Sequence, residues 1–258
     1  MISKVEKKLL HYMGKAIALY NMIQEGDRLL LCLSGGKDSF GLVKLMQVLK
    51  SRAKINFKLH ILSLDQGWSG WNREAIANWL EASATSFTIL DTTIAQVVQT
   101  KSKPGVSPCV LCSRLRRGHI YSFAKQYDYN KVVLGHHRDD LITSLLMSIC
   151  YSGDISSMPP KLVTTDRKLI VIRPLVLCQE KDLLAYAHEQ KFPITQASIC
   201  SVKNGDNVRE KVNALIRAMA VENPKIPSNM LHALGAVKVS QLMDHKLWDF
   251  RSLEKLLR

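Results

Sequence analysis

The 258-residue chain is long enough to bury a large core and holds one large domain or one and a half. Its 36 Lys and Arg against 22 Asp and Glu give a net charge of +14, which points to polyanionic partners. No apolar run approaches the ~20 residues of a membrane span. The N-terminus carries Lys4, Glu6, Lys7 and Lys8 among scattered apolar residues, without the continuous apolar core of a signal peptide. A reducing cytoplasm is therefore expected, and there six cysteines serve as metal ligands, catalytic thiols or core more often than as disulfides.

Residues 5–23 place Leu9, Tyr12, Met13, Ala16, Ile17 and Tyr20 on one helical face. Gly26-Asp27 ends this helix, and the apolar run 29–33 reads as a first, buried strand. An amphipathic helix follows, with Phe40, Leu42, Val43, Leu45, Met46 and Leu49. Further strands are expected over 59–64, 87–90, 131–134 and 169–172, with a helix over 75–80. Strands alternating with helices imply an α/β fold, a parallel twisted sheet with helices on both faces. Beyond residue 179 the strand signal fades. Helices at 181–189 and 208–220, then a tail through 242–250, read as a C-terminal helical extension lying on the main domain. The expected division is 1–24, an N-terminal helix; 25–178, the nucleotide-binding domain; and 179–258, the extension.

Between the first strand and its helix lies Ser34-Gly35-Gly36-Lys37-Asp38-Ser39. Adjacent glycines let backbone N–H groups approach an oxyanion, and the helix dipole favours negative charge there. Ser34 and Ser39 add hydroxyls and Lys37 a cation, so the loop suits phosphate. It is not a Walker loop, since Leu31 stands where the first Gly is needed and Asp38 follows the Lys. Nor does it fit the G-x-G-x-x-G dinucleotide fingerprint. Asp65 and the turn Gly135-His136-His137 also follow strands and should converge with the loop at the strand C-terminal ends. Asp38 and Asp140 suit a hard divalent cation, although Asp38 is equally a dipole-complementing helix start and Asp140 a base or nucleotide-orienting group. Asp65 is a nucleotide contact or a turn residue. His136 and His137 are contacts or structural histidines. Trp68 and Trp71 are stacking platforms or core.

Cys109 and Cys112 form a C-x-x-C, which alone is half a zinc site, a redox pair or an iron–sulfur ligand pair. No second C-x-x-C exists, and Cys200 is the next candidate. Three thiolates suit a cubane cluster with one open iron, or zinc completed by His or water. Cys32, Cys150 and Cys178 read as small core residues. Arg114, Arg116 and Arg117 beside the pair would lower thiol pKa and contact phosphate or RNA, or else form an exposed basic helix start. Lys161, Arg167 and Lys203 are further RNA-contact candidates.

The six-residue loop resembles the PP-loop of ATP-pyrophosphatases. Taken with residues 108–118 (PCVLCSRLRRG), 134–140 (LGHHRDD), 158–161 (MPPK) and 172–175 (IRPL), the chain resembles the tRNA 2-thiocytidine synthetase (TtcA) family over most of its length. The resemblance implies an adenine nucleotide alpha-hydrolase-like fold. It implies ATP-dependent thiolation of C2 of a tRNA cytidine, at anticodon-loop position 32, through an adenylated intermediate. ATP, Mg2+ and a 4Fe–4S cluster are the implied cofactors, the cluster being held by Cys109, Cys112 and Cys200. Ser34, Gly35, Gly36, Lys37, Asp38, Ser39, Asp65 and Gly135 would bind nucleotide, and Lys37, Asp140 and Cys200 would be catalytic. The implied partners are tRNA, a sulfur donor such as a cysteine desulfurase, and a second copy of the chain. One departure is present: Ala197 stands where the family has a further cysteine, and Ser201 where it has Gly. The rival readings are a lysidine-ligase-like PP-loop ATPase, which needs none of the three cysteines, and a non-enzymatic zinc-stabilised RNA-binding protein.

Overall fold

The computed structural model describes residues 2–102, 107–194 and 208–257. Helix α1 (Lys4–Leu19) starts at Ser3, whose hydroxyl accepts from Glu6 N at 3.1 Å. Its buried face is Leu9, Met13 and Ala16 from the expected stripe, while Tyr12 and Ile17 are half-buried and Tyr20, at the end of the helix, is exposed. The helix stops short of residue 23 because Asn21 adopts a left-handed conformation (φ 45°), which ends the helical ladder.

Six strands form one sheet in the order β3 (Phe87–Asp91), β2 (Lys58–Asp65), β1 (Arg28–Leu33), β4 (Lys131–Val133), β6 (Ile170–Ile172), β5 (Lys161–Val163). Neighbours from β3 to β6 run parallel. The edge strand β5 runs antiparallel to β6, a departure from the expected all-parallel sheet. Its three residues, with Leu162 and Val163 about half exposed, are too few to show a two-residue alternation in the sequence. The chain begins at the centre with β1, moves outward to β3, then crosses back to β4 on the other side of β1. That reversal is the topological switch point, where such sheets bind ligands.

Even-numbered strand residues Leu30, Leu62, Leu64 and Val132 pack with Phe123 and Ala124 of α5 (Pro108–Gln126). Leu29, Leu31, Leu33, Ile61 and Val133 alternate with them and point to the other face, each at most 2% exposed. Helix α2 (Lys37–Arg52) packs on β1, and α1 and α7 (Glu180–Gln190) pack on α2. Gly41 permits this close approach: a Cβ there would lie 3.4 Å from Leu183. Phe40 of α2 completes the seam, edge-on to Trp79 and stacked on Phe192. At the opposite end of the sheet Lys131 is bound to Asp27 at 2.6 Å, with side chains only 3% and 5% exposed.

The remaining helices are α3 (Arg73–Glu81), α4 (Ile94–Lys101), α6 (Arg138–Met147), α8 (Val208–Glu222) and α9 (Ile226–Ala233). Helix α4 and the helical setting of the cysteine pair were not anticipated. The tail beyond α9 holds short 3-10 turns at Val239–Gln241 and Phe250–Leu256, not a helix across 242–250. Cys150 is exposed, against its expected place in the core. Helix α6 runs into a π-turn (Ser148–Ser152) ended by Gly153 (φ 72°), and the wider turn carries Ile149 and Cys150 off the apolar face. Cys178 is buried as expected and Cys32 partly so, and burial raises both thiols to about 12.

By compactness the chain forms two units, drawn differently from the sequence division at 24 and 178. The first, residues 1–141 with 158–207, includes α1 and α7 along with the sheet. The second, residues 142–157 with 208–258, has its own small core of Ile142, Val212 and Ile216, with Met219, Met230 and Leu231 packed against it. Thr143 donates a hydrogen bond to Asn213 within it. No helix among the described residues is long and apolar enough to cross a membrane.

Candidate active site

The loop between β1 and α2 is shaped by Gly35 (φ 86°), a left-handed position that a side chain would strain. Gly36 is the N-cap of α2, and no side chain caps the first turn. The helix N-terminus therefore keeps its amide donors for a ligand. Ser39, 5% exposed, closes the loop on itself. Its Oγ accepts from Ser34 N and Ser34 Oγ, both at 3.1 Å, and donates to Gly36 O at 2.8 Å. Ser34 is exposed at the rim.

Lys37 Nζ lies 2.9 Å from Asp38 Oδ2 and 3.0 Å from Glu180 Oε1. Burial alone would lower the Lys37 pKa, but the two carboxylates outweigh it and hold the ammonium above its ordinary value. Glu180 opens α7 and was not found from the sequence, since nothing in its surroundings signals a partner 143 positions away. Asp139 sets its place: Asp139 Oδ2 accepts from Glu180 N at 2.8 Å.

His137 is 4% exposed and sits among three carboxylates. Its Nε2 is 3.7 Å from Asp38 and 3.5 Å from Asp140, and its Nδ1 is 3.8 Å from Asp139. Asp140 Oδ2 also accepts from His137 N at 3.1 Å. Burial raises the Asp38 pKa, His137 and Lys37 oppose that, and Asp140 adds to it. A carboxylate whose charge a second one opposes could, with it, hold a divalent cation.

Gly135 explains how the two loops meet. A Cβ there would stand 3.2 Å from Asp38 O and 3.4 Å from Ser39 N, both backbone atoms of the first turn of α2. Gly135→Ala is expected to lower stability by about 1–3 kcal/mol in urea unfolding, the range for overpacking. Gly118→Ala is the control. It lies within α5 with nothing within 4 Å of the added Cβ, and should raise stability by about 0.5–1 kcal/mol.

Asp65 ends β2 and shapes the loop after it: its Oδ1 accepts from Gly67 N at 2.9 Å, and Arg73 bridges it to Asp91. Cys109 and Cys112 occupy the first turn of α5, behind the N-cap Ser107 and Pro108. Cys112 is 7% exposed, with Sγ 3.5 Å from Gln66 Oε1. Burial raises its thiol, while Arg116 and Trp68 pull it back down. Trp68 also packs on the Ile94, Val98 and Cys112 cluster, so its ring serves the core around the thiol. Trp71 is half-buried, its indole Nε1 without a hydrogen-bond partner among the described residues. Gln66 and Glu180 are thus the site neighbours that the sequence did not reveal.

Cys200 and Lys203 lie outside the described residues, as do Ala197 and Ser201. Among the described residues no three His, Cys, Asp or Glu side chains are grouped to hold a metal ion. Arg114 and Arg117 are exposed on α5 and Arg116 is turned toward Cys112. Arg167 is exposed, and Lys161 donates to Asn21 O at 2.5 Å.

Comparison with known proteins places the chain in a family. Residues 1–198 match a PP-loop domain family. A tRNA-cytidine(32) 2-sulfurtransferase of Legionella pneumophila is 51% identical over 98% of this chain and 89% of its own length. One from Coxiella burnetii is 48% identical over 97% of both chains. Among solved structures, the U34-tRNA thiolase NcsA from Methanococcus maripaludis, with its 4Fe–4S cluster, superposes with a TM-score of 0.72 at 17% identity, covering 91% of this chain and 80% of its own, and so shares the fold. A PP-loop at the switch point, a cysteine pair heading α5 and half-identity along nearly the whole length lead to one conclusion: the chain belongs to the PP-loop tRNA-cytidine(32) 2-sulfurtransferase family.

Proposed function

We propose that the protein uses ATP to replace the C2 oxygen of a tRNA cytidine, at position 32 of the anticodon loop, with sulfur. The observation that carries this reading is the shared edge of the sheet: the phosphate loop follows β1, and Gln66, which touches the Cys112 thiol, follows the adjacent β2. Attack by the cytosine O2 on the α-phosphorus of ATP forms an O–P bond and expels pyrophosphate. A sulfur nucleophile then adds at C2, and AMP leaves with the former O2. The loop amides and Ser34 hold the pyrophosphate portion, and Lys37 neutralises charge developing on it. Asp38 and Asp140 are the residues that would hold Mg2+, and the ion would supply positive charge to the phosphates. Asp65 and Gly135 shape the walls of the nucleotide site.

Cys109 and Cys112, one turn apart on one helix face, suit two thiolate ligands of an iron–sulfur cluster, and Cys200 is assigned as the third. When bound, the cluster supplies an iron site for sulfide. Arg116 works against the burial that raises the Cys112 thiol, toward the thiolate such binding requires. A flipped-out loop base would approach over the exposed arginines of α5. A sulfur donor such as a cysteine desulfurase, a homodimeric assembly and a cytoplasmic location complete the proposal.

Anaerobic purification followed by iron, sulfide and zinc analysis tests it. The wild type should carry about four irons, as a cubane does. Cys109→Ser, Cys112→Ser and Cys200→Ser should each lose the iron and the thiolation of tRNA. Stoichiometric zinc in protein that refuses a cluster, or thiolation that survives these substitutions, would overturn the cluster assignment.

A further inference from the structure

Arg173 lies one residue beyond β6 and has no part in the site described above. Its backbone is held firmly. Arg173 N donates to Pro160 O at 2.9 Å, and Leu134 N donates to the preceding Ile172 O at 3.0 Å. The residue therefore sits on the same sheet edge as Gly135 and His137, next to the switch point. It is 8% exposed. Its Nη1 donates to Pro159 O at 2.6 Å, while its buried Nε has no hydrogen-bond partner among the described residues. No carboxylate among them pairs with the guanidinium. A carbonyl satisfies a donor but does not balance a charge, and an arginine stays protonated in proteins. A buried cation without a counterion is unfavourable, so its retention calls for an anion. Arg117 of α5 adds to the positive field: it and Arg173 both act on the Tyr121 hydroxyl, which burial otherwise holds above its usual range.

We infer that Arg173 is the cation of a phosphate-binding site at the C-terminal end of β6, completed only when a substrate phosphate is present. A guanidinium fork pairs with phosphate as it does with carboxylate, by two parallel charge-assisted hydrogen bonds. Its source is the nucleotide or the RNA backbone, and that attribution rests on the proposed function. The site itself rests on the buried, unbalanced guanidinium.

The test compares the full-length wild type with Arg173→Gln and Arg173→Lys. Melting temperature is read with and without inorganic phosphate, ATP binding by calorimetry, and tRNA binding by fluorescence anisotropy. Without ligand, Arg173→Gln should melt no lower than wild type, because it removes an unbalanced buried charge. It should lose the phosphate-induced rise in melting temperature and bind either ATP or tRNA at least tenfold more weakly, with Arg173→Lys in between. A loss confined to ATP assigns the phosphate to the nucleotide. A loss confined to tRNA, with a salt dependence shallower by about one unit, assigns it to the backbone. A lower melting temperature with both affinities intact would make Arg173 a structural clamp on residues 159–160 and overturn the inference. If the wild type binds neither ATP nor tRNA, the proposed function fails. The phosphate shift then decides the Arg173 site alone, and its absence in wild type or persistence in Arg173→Gln overturns it.

Discussion

Lys37→Ala is expected to lower the rate of tRNA thiolation roughly 100–1,000-fold, the usual consequence of removing one preorganised charge-stabilising group. Lys37 is the loop's cation, its side chain 20% exposed, gripped by Asp38 and Glu180. Those carboxylates hold its pKa above the ordinary value, so it carries a full positive charge at neutral pH. Its removal leaves two carboxylates facing the incoming phosphates, and both binding and chemistry suffer. Lys37→Arg should restore little, because a planar guanidinium does not reproduce a compact ammonium within a tight loop. Single-turnover assays of pyrophosphate release and tRNA thiolation, alongside circular dichroism and tRNA binding, separate chemistry from folding. A loss smaller than tenfold in a folded, tRNA-binding variant would remove Lys37 from the reaction.

Lys131→Met is expected to destabilise the fold by about 3–5 kcal/mol, the range for removing one partner of a buried ion pair. Asp27 and Lys131 are almost fully enclosed. Asp27 also accepts from Gln24 N at 2.6 Å and Asn130 Nδ2 at 2.8 Å, while Lys131 Nζ donates to Met22 O at 3.0 Å. Removing the lysine strands a carboxylate in the interior. The double variant Asp27→Asn/Lys131→Met should recover most of the loss, because no charge is then left unbalanced. Burial would raise the Asp27 pKa, but the bonds from Lys131, Gln24 and Asn130 outweigh it and hold the carboxyl below its ordinary 3.8. A carboxyl depressed in the fold stabilises fully above its unfolded value. That contribution fades as pH falls below about 4 and is lost as it passes through the folded value. Urea midpoints from pH 7 to pH 3 should fall for the wild type and stay flatter for the double variant. A Lys131→Met loss under 1 kcal/mol would show that water reaches the pair.

The β1-loop-α2 unit was legible because an apolar run, two glycines and an amphipathic helix are all local signals. The same holds for β2, β3 and β4, and for the buried face of α1. The edge strand β5 was not legible: three residues contain no period, and its pairing with β6 is a tertiary choice. Cys150 misled because Leu145, Leu146 and Ile149 read as one helical stripe, and only the π-turn rotates its end outward. In the site, Lys37, Asp38 and the Gly135 turn lie where strand ends had placed them. Glu180 and Gln66 were invisible because their roles depend on how α7 docks on α2 and how the loop after β2 meets α5. Both are packing outcomes with no signature in the residues themselves.

The central strand β1 acquires its two neighbours at very different times. Residues 28–91 supply β1, β2 and β3 in one continuous stretch, so that half of the sheet has short-range closure. The other flank of β1 waits for β4, about a hundred positions downstream, and for Lys131 to reach Asp27. On a growing chain this central, largely buried strand therefore spends that interval as an open edge, the kind that pairs with other chains. The seam between β1 and β4, flanked by the loops that carry Lys37 and Gly135, thus closes after those that join β1, β2 and β3. The edge left open to misassembly during synthesis is the one the proposed site flanks.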